Sequence, residues 1–300
     1  MATLHVISGA GDTPAHPVVR KIRFSDLKDA VAKGIDDFRA MPMHVILLSV
    51  IYPVIGLFLA RLIFGYDMMP ILFPLAAGFA LVGPFLATGL YEMSRRREQG
   101  LDVSWTDAFK ILRGPSADAI LALGLLLMAI FLIWLGVAQG LYQSLFGYGT
   151  PASIEQFLTN IFTTPEGRTL ILVGNGIGFL FAVLVLTISV VSFPLLLDRD
   201  VGAIVAMHTS IKAVLMNPLV MAAWGLFVAL ALIVGSLPFF VGLAVVMPVL
   251  AHATWHLYRK VVEPDRSPRT ESHRLERKGR RYAADFPAVL FPWAREDRKE

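Results

Sequence analysis

The chain has 300 residues, 56% of them apolar and 17% charged, with a formal net charge of +4 and no cysteine; its mean hydropathy is +0.64. Soluble domains carry about 25% charged residues, so this composition places most of the chain in lipid rather than in one or two soluble domains. The missing cysteines exclude a disulfide framework, a thiolate metal site and a cysteine nucleophile.

The first 42 residues hold no apolar stretch suited to a signal peptide, and the amino terminus is expected to be mature as written. Within them "DLKDAVAKGIDDFRAMP" (26–42) places Leu27, Val31, Ile35 and Phe38 on one helical face, with Lys28, Lys33, Asp36 and Arg39 elsewhere. That pattern predicts an amphipathic helix at the level of the lipid headgroups.

A spanning helix needs roughly 20 mainly apolar residues. Six stretches qualify, at 43–64, 70–92, 117–143, 168–194, 218–236 and 237–258. The last two are parted by "GSLP" (235–238), where Gly and Pro favour a turn and hence a hairpin. The expected fold class is therefore all-α: a polytopic membrane protein of six transmembrane helices with interfacial amphipathic helices. Its parts are an N-terminal cytoplasmic segment (1–22), a membrane domain (23–262) and a basic cytoplasmic tail (263–300).

An even number of spans puts both termini on one side, and the basic residues choose it. Of the 27 Lys and Arg, 25 fall in the N-terminal segment, the 93–116 and 195–217 connections and the chain from Arg259 onward. The positive-inside rule then makes both termini cytoplasmic. The same charges suit anionic headgroups on that side as the membrane partner, and nucleic acid is not expected.

Two stretches recur. "GAIVAMHTSIKAVLMNP" (202–218) aligns with 26–42 at an offset of 176, pairing Ala30 with Ala206, Gly34 with Ser210 and Pro42 with Pro218. "PFLATGLYEMSRR" (84–96) aligns with "PVLAHATWHLYRK" (248–260) at an offset of 164, with Tyr91 opposite Trp255, Arg95 opposite Arg259 and Arg96 opposite Lys260. A shorter copy of the surface segment is "VSWTDAFKILRGP" (103–115). A threefold repeat of surface helix plus membrane hairpin would account for this, as would convergent chemistry where helices leave the membrane. Tyr91, Arg95, Arg96, Trp255, Arg259 and Lys260 are read as interfacial anchors, with aromatic rings and cations at the headgroups.

His252 and His256 lie four apart on one helical face, where the other copy has Thr88 and Glu92. Three readings stand: a helix end reaching water, a metal or haem pair, or hydrogen bonding within the bundle. No other span carries a histidine to complete a ligand set, since His44 opens the first span and His208 lies in a surface segment. No cofactor and no metal are expected.

Mid-span regions hold no ionisable residue, which weighs against proton coupling and against acid/base catalysis. What is polar there is "GNGIG" (174–178). Gly174 and Gly178 would let a second helix approach while Asn175 hydrogen-bonds across the contact; the other reading is an unwound solute site. In the loop 144–167, "SIEQFLTNIF" (153–162) carries a capping box at Ser153 and Gln156 and predicts an amphipathic helix that lies on the opposite face or docks a partner. In the tail, "FPAVLFPW" (286–293) is too short to span and is expected to fold back.

Taken together, "DLKDAVAKGIDDF", "GPFLATGLYEMSRRREQG" (83–100), "SFPLLLDRDV" (192–201), "NPLVMAAWG" (217–225) and "PVLAHATWHLYRK" resemble domain-of-unknown-function family 2189, a family of bacterial integral membrane proteins, over about residues 20–262. The resemblance implies a multi-span inner-membrane protein and no particular activity. Some relatives carry names taken from a respiratory oxidase subunit, but the paired intramembrane histidines of a haem–copper protein are missing here. Two functions are carried forward: a scaffold, assembly or accessory component that binds lipid or a membrane-protein complex, and a transporter or channel for a neutral or weakly polar solute. An enzyme is disfavoured for want of a catalytic constellation.

Overall fold

The computed structural model describes residues 17–41, 69–111, 114–149, 153–238 and 240–264, with single positions 54, 61 and 151 between them. The first expected span, 43–64, lies outside these except for Val54 and Arg61, and so does the apolar tail segment 286–293. Among the described residues the structure is helical apart from one antiparallel bridge between Val19 and Val262. The helices are α1 (Phe24–Ala40), α2 (Met69–Leu86), α3 (Thr88–Glu98), α4 (Asp107–Lys110), α5 (Ala117–Phe146), α6 (Ile154–Thr163), α7 (Pro165–Ser189), α8 (Ser192–Asp198), α9 (Ala203–Met216), α10 (Pro218–Ser236) and α11 (Leu243–Val261).

Local chemistry sets several boundaries. Asp26 accepts a hydrogen bond from the Arg23 amide at 2.8 Å and opens α1. Ser153 caps α6 by accepting from the Gln156 amide at 3.1 Å, at the position read from the sequence. Thr164 caps α7 through the Gly167 amide at 3.0 Å, with Pro165 in the first turn, where its missing N–H is not needed. α5 stops at Gly147, whose φ of 75° suits glycine.

Among the described residues, four helical stretches are long and apolar enough to cross a membrane: Phe73–Glu98, Ala117–Phe146, Pro165–Asp198 and Pro218–Ser236. They match four of the expected spans in place, and α8 continues the third beyond its expected end. The expected span 237–258 is not among them. It begins as a turn, becomes helical at Leu243, and from His252 onward carries polar side chains that pack inside the protein. The hairpin itself forms: a Cβ at Gly242 would stand 2.7 Å from the Gly235 carbonyl oxygen, so the two helix ends meet backbone to backbone.

α2 packs on α5, and α5 on α7. Trp134 of α5 joins all three. Its indole N–H donates to the Pro74 carbonyl of α2 at 2.8 Å, its ring lies against Gly78, and on the other side it meets Phe181 of α7 at 5.6 Å between centroids. Gly78 leaves space for that ring, since a Cβ there would come within 2.6 Å of it.

The densest packing is at the opposite end of these helices, where α3, α8, α9 and the last turns of α11 bury Met93, Phe193, Leu195, Ala206, Trp255, Leu257 and Tyr258. There the chain also closes on itself. The Arg20 amide donates to the Val261 carbonyl at 2.7 Å, the Glu263 amide to the Val18 carbonyl at 2.9 Å, and the Ile22 amide to the Asn217 side chain at 2.8 Å. Residues 18–22 are thus tied to the helical bundle rather than set apart from it.

α1 is a helix as its periodicity predicts, but a different face makes its tightest contact. Ala30, Gly34 and Asp37 are buried against α11, while Leu27, Val31, Ile35 and Phe38 are half-buried. Small side chains let two helix backbones approach more closely than an apolar stripe allows, and Ala30 and Gly34 supply them. In α9 the residues equivalent at the offset of 176, Ala206, Ser210 and Ala213, are buried in the same way.

Candidate functional site

The close approach of α1 to α11 carries Asp37 into a polar cluster. Asp37, Ser94 of α3 and His252 of α11 are all buried, and His256 lies one turn further along α11. The Ser94 hydroxyl donates to Asp37 Oδ2 at 2.6 Å and lies 2.7 Å from His252 Nδ1. A hydroxyl has one proton to give, so with that proton on Asp37 the imidazole donates from Nδ1. His256 Nε2 meets the same carboxylate oxygen at 2.9 Å, and Arg97 pairs with the other oxygen. The second nitrogen of His252, Nε2, is buried with no hydrogen-bond partner among the described residues.

Burial works to raise the Asp37 carboxyl. The hydrogen bonds from His256 and Ser94, together with the charges of His256 and His252, outweigh it and hold the group below the ordinary carboxylate range. Asp107 behaves alike: burial opposes ionisation, but Lys110, the Ser104 amide and Arg96 bring its pKa below the ordinary value.

Around this cluster the charges are paired almost residue by residue. Glu92 takes a two-point contact from Arg95 at 2.6 and 2.9 Å. Arg96 reaches Asp107 at 3.2 Å, and Lys260 reaches Asp29 at 2.7 Å. The Trp255 indole donates to Glu98 at 3.0 Å, Arg259 meets the same carboxylate at 3.0 Å, and the Tyr258 hydroxyl donates to Asp198 at 2.6 Å.

These contacts correct the anchor reading. Trp255 is 1% exposed and Tyr91 3% exposed, so neither ring faces a headgroup. Arg95, Arg96, Arg259 and Lys260 hold carboxylates of the same chain instead. The physical cause is local: the buried Glu92 and Asp107, the half-buried Asp198 and the exposed Glu98 converge on this end of the bundle, and a carboxylate out of water needs a cation.

His252 and His256 share a face, as their spacing requires, and each puts a ring nitrogen on the Asp37–Ser94 pair. Among the described residues no group of three His, Cys, Asp or Glu is arranged to hold a metal ion. Of the three readings of these histidines, hydrogen bonding within the bundle fits the geometry. Thr88 and Glu92, which align with them at the offset of 164, are buried and hydrogen-bonded as well, so both stretches bury polar side chains here. Asp37, Ser94 and Arg97 were not singled out from the sequence. The polarity shared at 88/252 and 92/256 was the available signal.

"GNGIG" divides. Gly178 is a helix contact: a Cβ there would come within 3.1 Å of the Trp134 ring. Gly174 has only Leu141 nearby, at 3.7 Å, and Gly176 has open space. The Asn175 amide does not cross to another helix; it donates to the Ile171 carbonyl of its own helix at 2.7 Å, and the residue is exposed. An exposed amide on a helix surface finds its own i−4 carbonyl when no neighbour lies opposite.

Residues 72–198 match the model of the DUF2189 family, described as a predicted integral membrane protein. The family is the one the motifs resemble. The matched DUF2189 stretch runs from α2 to the end of α8 and includes Ser94, Arg97 and "GNGIG". It leaves out α1 and α11, which bring Asp37, His252 and His256 to the cluster. No curated protein and no solved structure matches the chain.

Proposed function

We propose that the protein is a non-catalytic, six-span component of a bacterial inner membrane with both termini cytoplasmic, a scaffold, assembly or accessory subunit that binds lipid or a membrane complex. The observation that carries this reading is the surface of α10. Only 22% of its apolar window is buried within the chain, and Leu219, Leu226, Leu230 and Ile233 are exposed. A span with so little internal packing offers most of its surface to neighbours, and large apolar faces mark interaction sites. The ionisable groups at the polar end are engaged with one another, which lends no support to acid/base chemistry on a substrate.

The surface helices α1, α4 and α9 and the threefold repeat belong to the same proposal. Three contacts support a closed repeat. Gly34 of the first unit packs on Ala253 of the third, Ala108 of the second on Gly89 of the first, and Ser210 of the third accepts from the Val191 amide of the second at 3.2 Å. Gly89 and Ala253 occupy equivalent positions at the offset of 164, as Gly34 and Ser210 do at 176.

The test is purification in mild detergent with identification of the proteins and lipids that remain bound. A reproducible companion lost from a Leu226→Asn, Leu230→Asn double variant is the expected result. Solute flux in proteoliposomes that Asn175→Leu abolishes would overturn it in favour of a transporter.

A further inference from the structure

The connection between the candidate spans Phe73–Glu98 and Ala117–Phe146 turns three large apolar side chains outward. Trp105 is 42% exposed and Phe109 54%, and Leu101 beside them is exposed too. The two rings meet edge to face, 6.1 Å apart at 88°. Such a patch would be a liability in water, yet the segment is not loosely held. Asp107, between the two aromatics, is buried. It accepts from the Ser104 amide at 2.9 Å and pairs with Arg96 at 3.2 Å and with Lys110 at 2.5 Å. Ala108 packs on Gly89 closely enough that a Cβ on the glycine would come within 2.9 Å of it. The carboxylate and the alanine face inward and fix α4; Trp105 and Phe109 are what remains outside.

We infer that Leu101, Trp105 and Phe109 form an interfacial anchor that inserts into the lipid surface beside the bundle. The inference rests on the reading of the flanking helices as membrane spans, because their ends place this connection at the membrane boundary. Arg95, Arg96, Arg97 and Lys110 are paired with carboxylates of the chain, so the apolar side chains carry the contact. Indole and phenyl rings partition to the boundary between headgroups and acyl chains. The role assigned from sequence to Tyr91 and Trp255 thus falls to a different pair of rings.

The absence of native cysteine makes the test direct. Single variants Phe109→Cys, Gln99→Cys and Leu230→Cys are nitroxide-labelled and reconstituted in mixed phosphatidylcholine–phosphatidylglycerol vesicles, and their collisions with oxygen and with a water-soluble nickel chelate are compared. Phe109 is expected to be relaxed more by oxygen than by nickel, at a depth of about 5–10 Å below the headgroup surface. Gln99, exposed on the same connection, should be relaxed more by nickel, and Leu230, on the outer face of α10, should be the most protected from it. A label at Phe109 as open to nickel as that at Gln99, with Leu230 protected, overturns the anchor and leaves the spans standing. Nickel access at Leu230 as well overturns both.

Discussion

Gly34 of α1 and Ala253 of α11 touch so closely that a Cβ on the glycine would stand 2.6 Å from the alanine amide nitrogen. No rotamer change relieves a clash with backbone, so Gly34→Ala must push the helices apart and loosen the hydrogen bonds of Asp37 that their contact permits. Overpacking of this kind costs about 1–3 kcal/mol. Thermal unfolding of the detergent-purified protein should show the loss, while Gly136→Ala, a substitution into open space, should be neutral or slightly stabilising. Equal melting of Gly34→Ala and wild type would remove the contact.

The two glycines of "GNGIG" should part company. Gly178→Leu must displace the Trp134 ring, which also donates to Pro74, so α2 is disturbed together with α7. A loss of about 1–3 kcal/mol is expected there. Gly174→Leu has room and should unfold near the wild-type temperature, as should Asn175→Leu, whose amide donates within its own helix. Destabilisation by Gly174→Leu comparable to that by Gly178→Leu would contradict the geometry.

Asp37 gives a pH signature. Its carboxyl is held below the ordinary value in the folded state, so the unfolded chain takes up the proton first as pH falls. The stabilisation is present above the unfolded pKa, near 3.8, and is lost as pH drops through the folded one. Asp37→Asn should lower stability at neutral pH by about 1.5–3 kcal/mol, the range for hydrogen bonds to charged groups, and should flatten the acid limb below pH ~4. Melting temperatures against pH for the two proteins check this; parallel curves would deny Asp37 the role.

Reporter fusions test the orientation. Fusions after residues 100, 205 and 270 should report the cytoplasm and one at 150 the opposite side, following the distribution of Lys and Arg. A cytoplasmic signal at 150 would dismantle the six-span arrangement.

Much of the fold was legible because length and apolarity are one-dimensional properties. The helices at Phe73–Glu98, Ala117–Phe146, Pro165–Asp198 and Pro218–Ser236, the Gly235–Gly242 hairpin and the Ser153 cap all follow from local composition. The polar cluster was not, because its members come from α1, α3 and α11 and meet through long-range packing. Asp37 lies 57 residues from Ser94 and 219 from His256 along the chain. Trp255 misled for a related reason: aromatic then cationic is the pattern of a membrane exit, and nothing local reveals that Glu98 waits for its indole. In α1 the eye follows the large apolar residues, whereas the closest contact belongs to the small ones.

The bridge between Val19 and Val262 has a further consequence for how the chain could be cut and rejoined. Because the strands that open and close the bundle run side by side, a short link from residue 263 to residue 18 would join them without stretching either. New ends could then be opened in the loop after α5, near Gly147, where a glycine already terminates the helix. Every described helix would keep its neighbours in such a circular permutant. The order in which the helices leave the ribosome would change, and insertion into the membrane would have to begin with α7, parted in sequence from α5 on which it packs. Whether that protein assembles would separate the demands of the finished bundle from those of its synthesis.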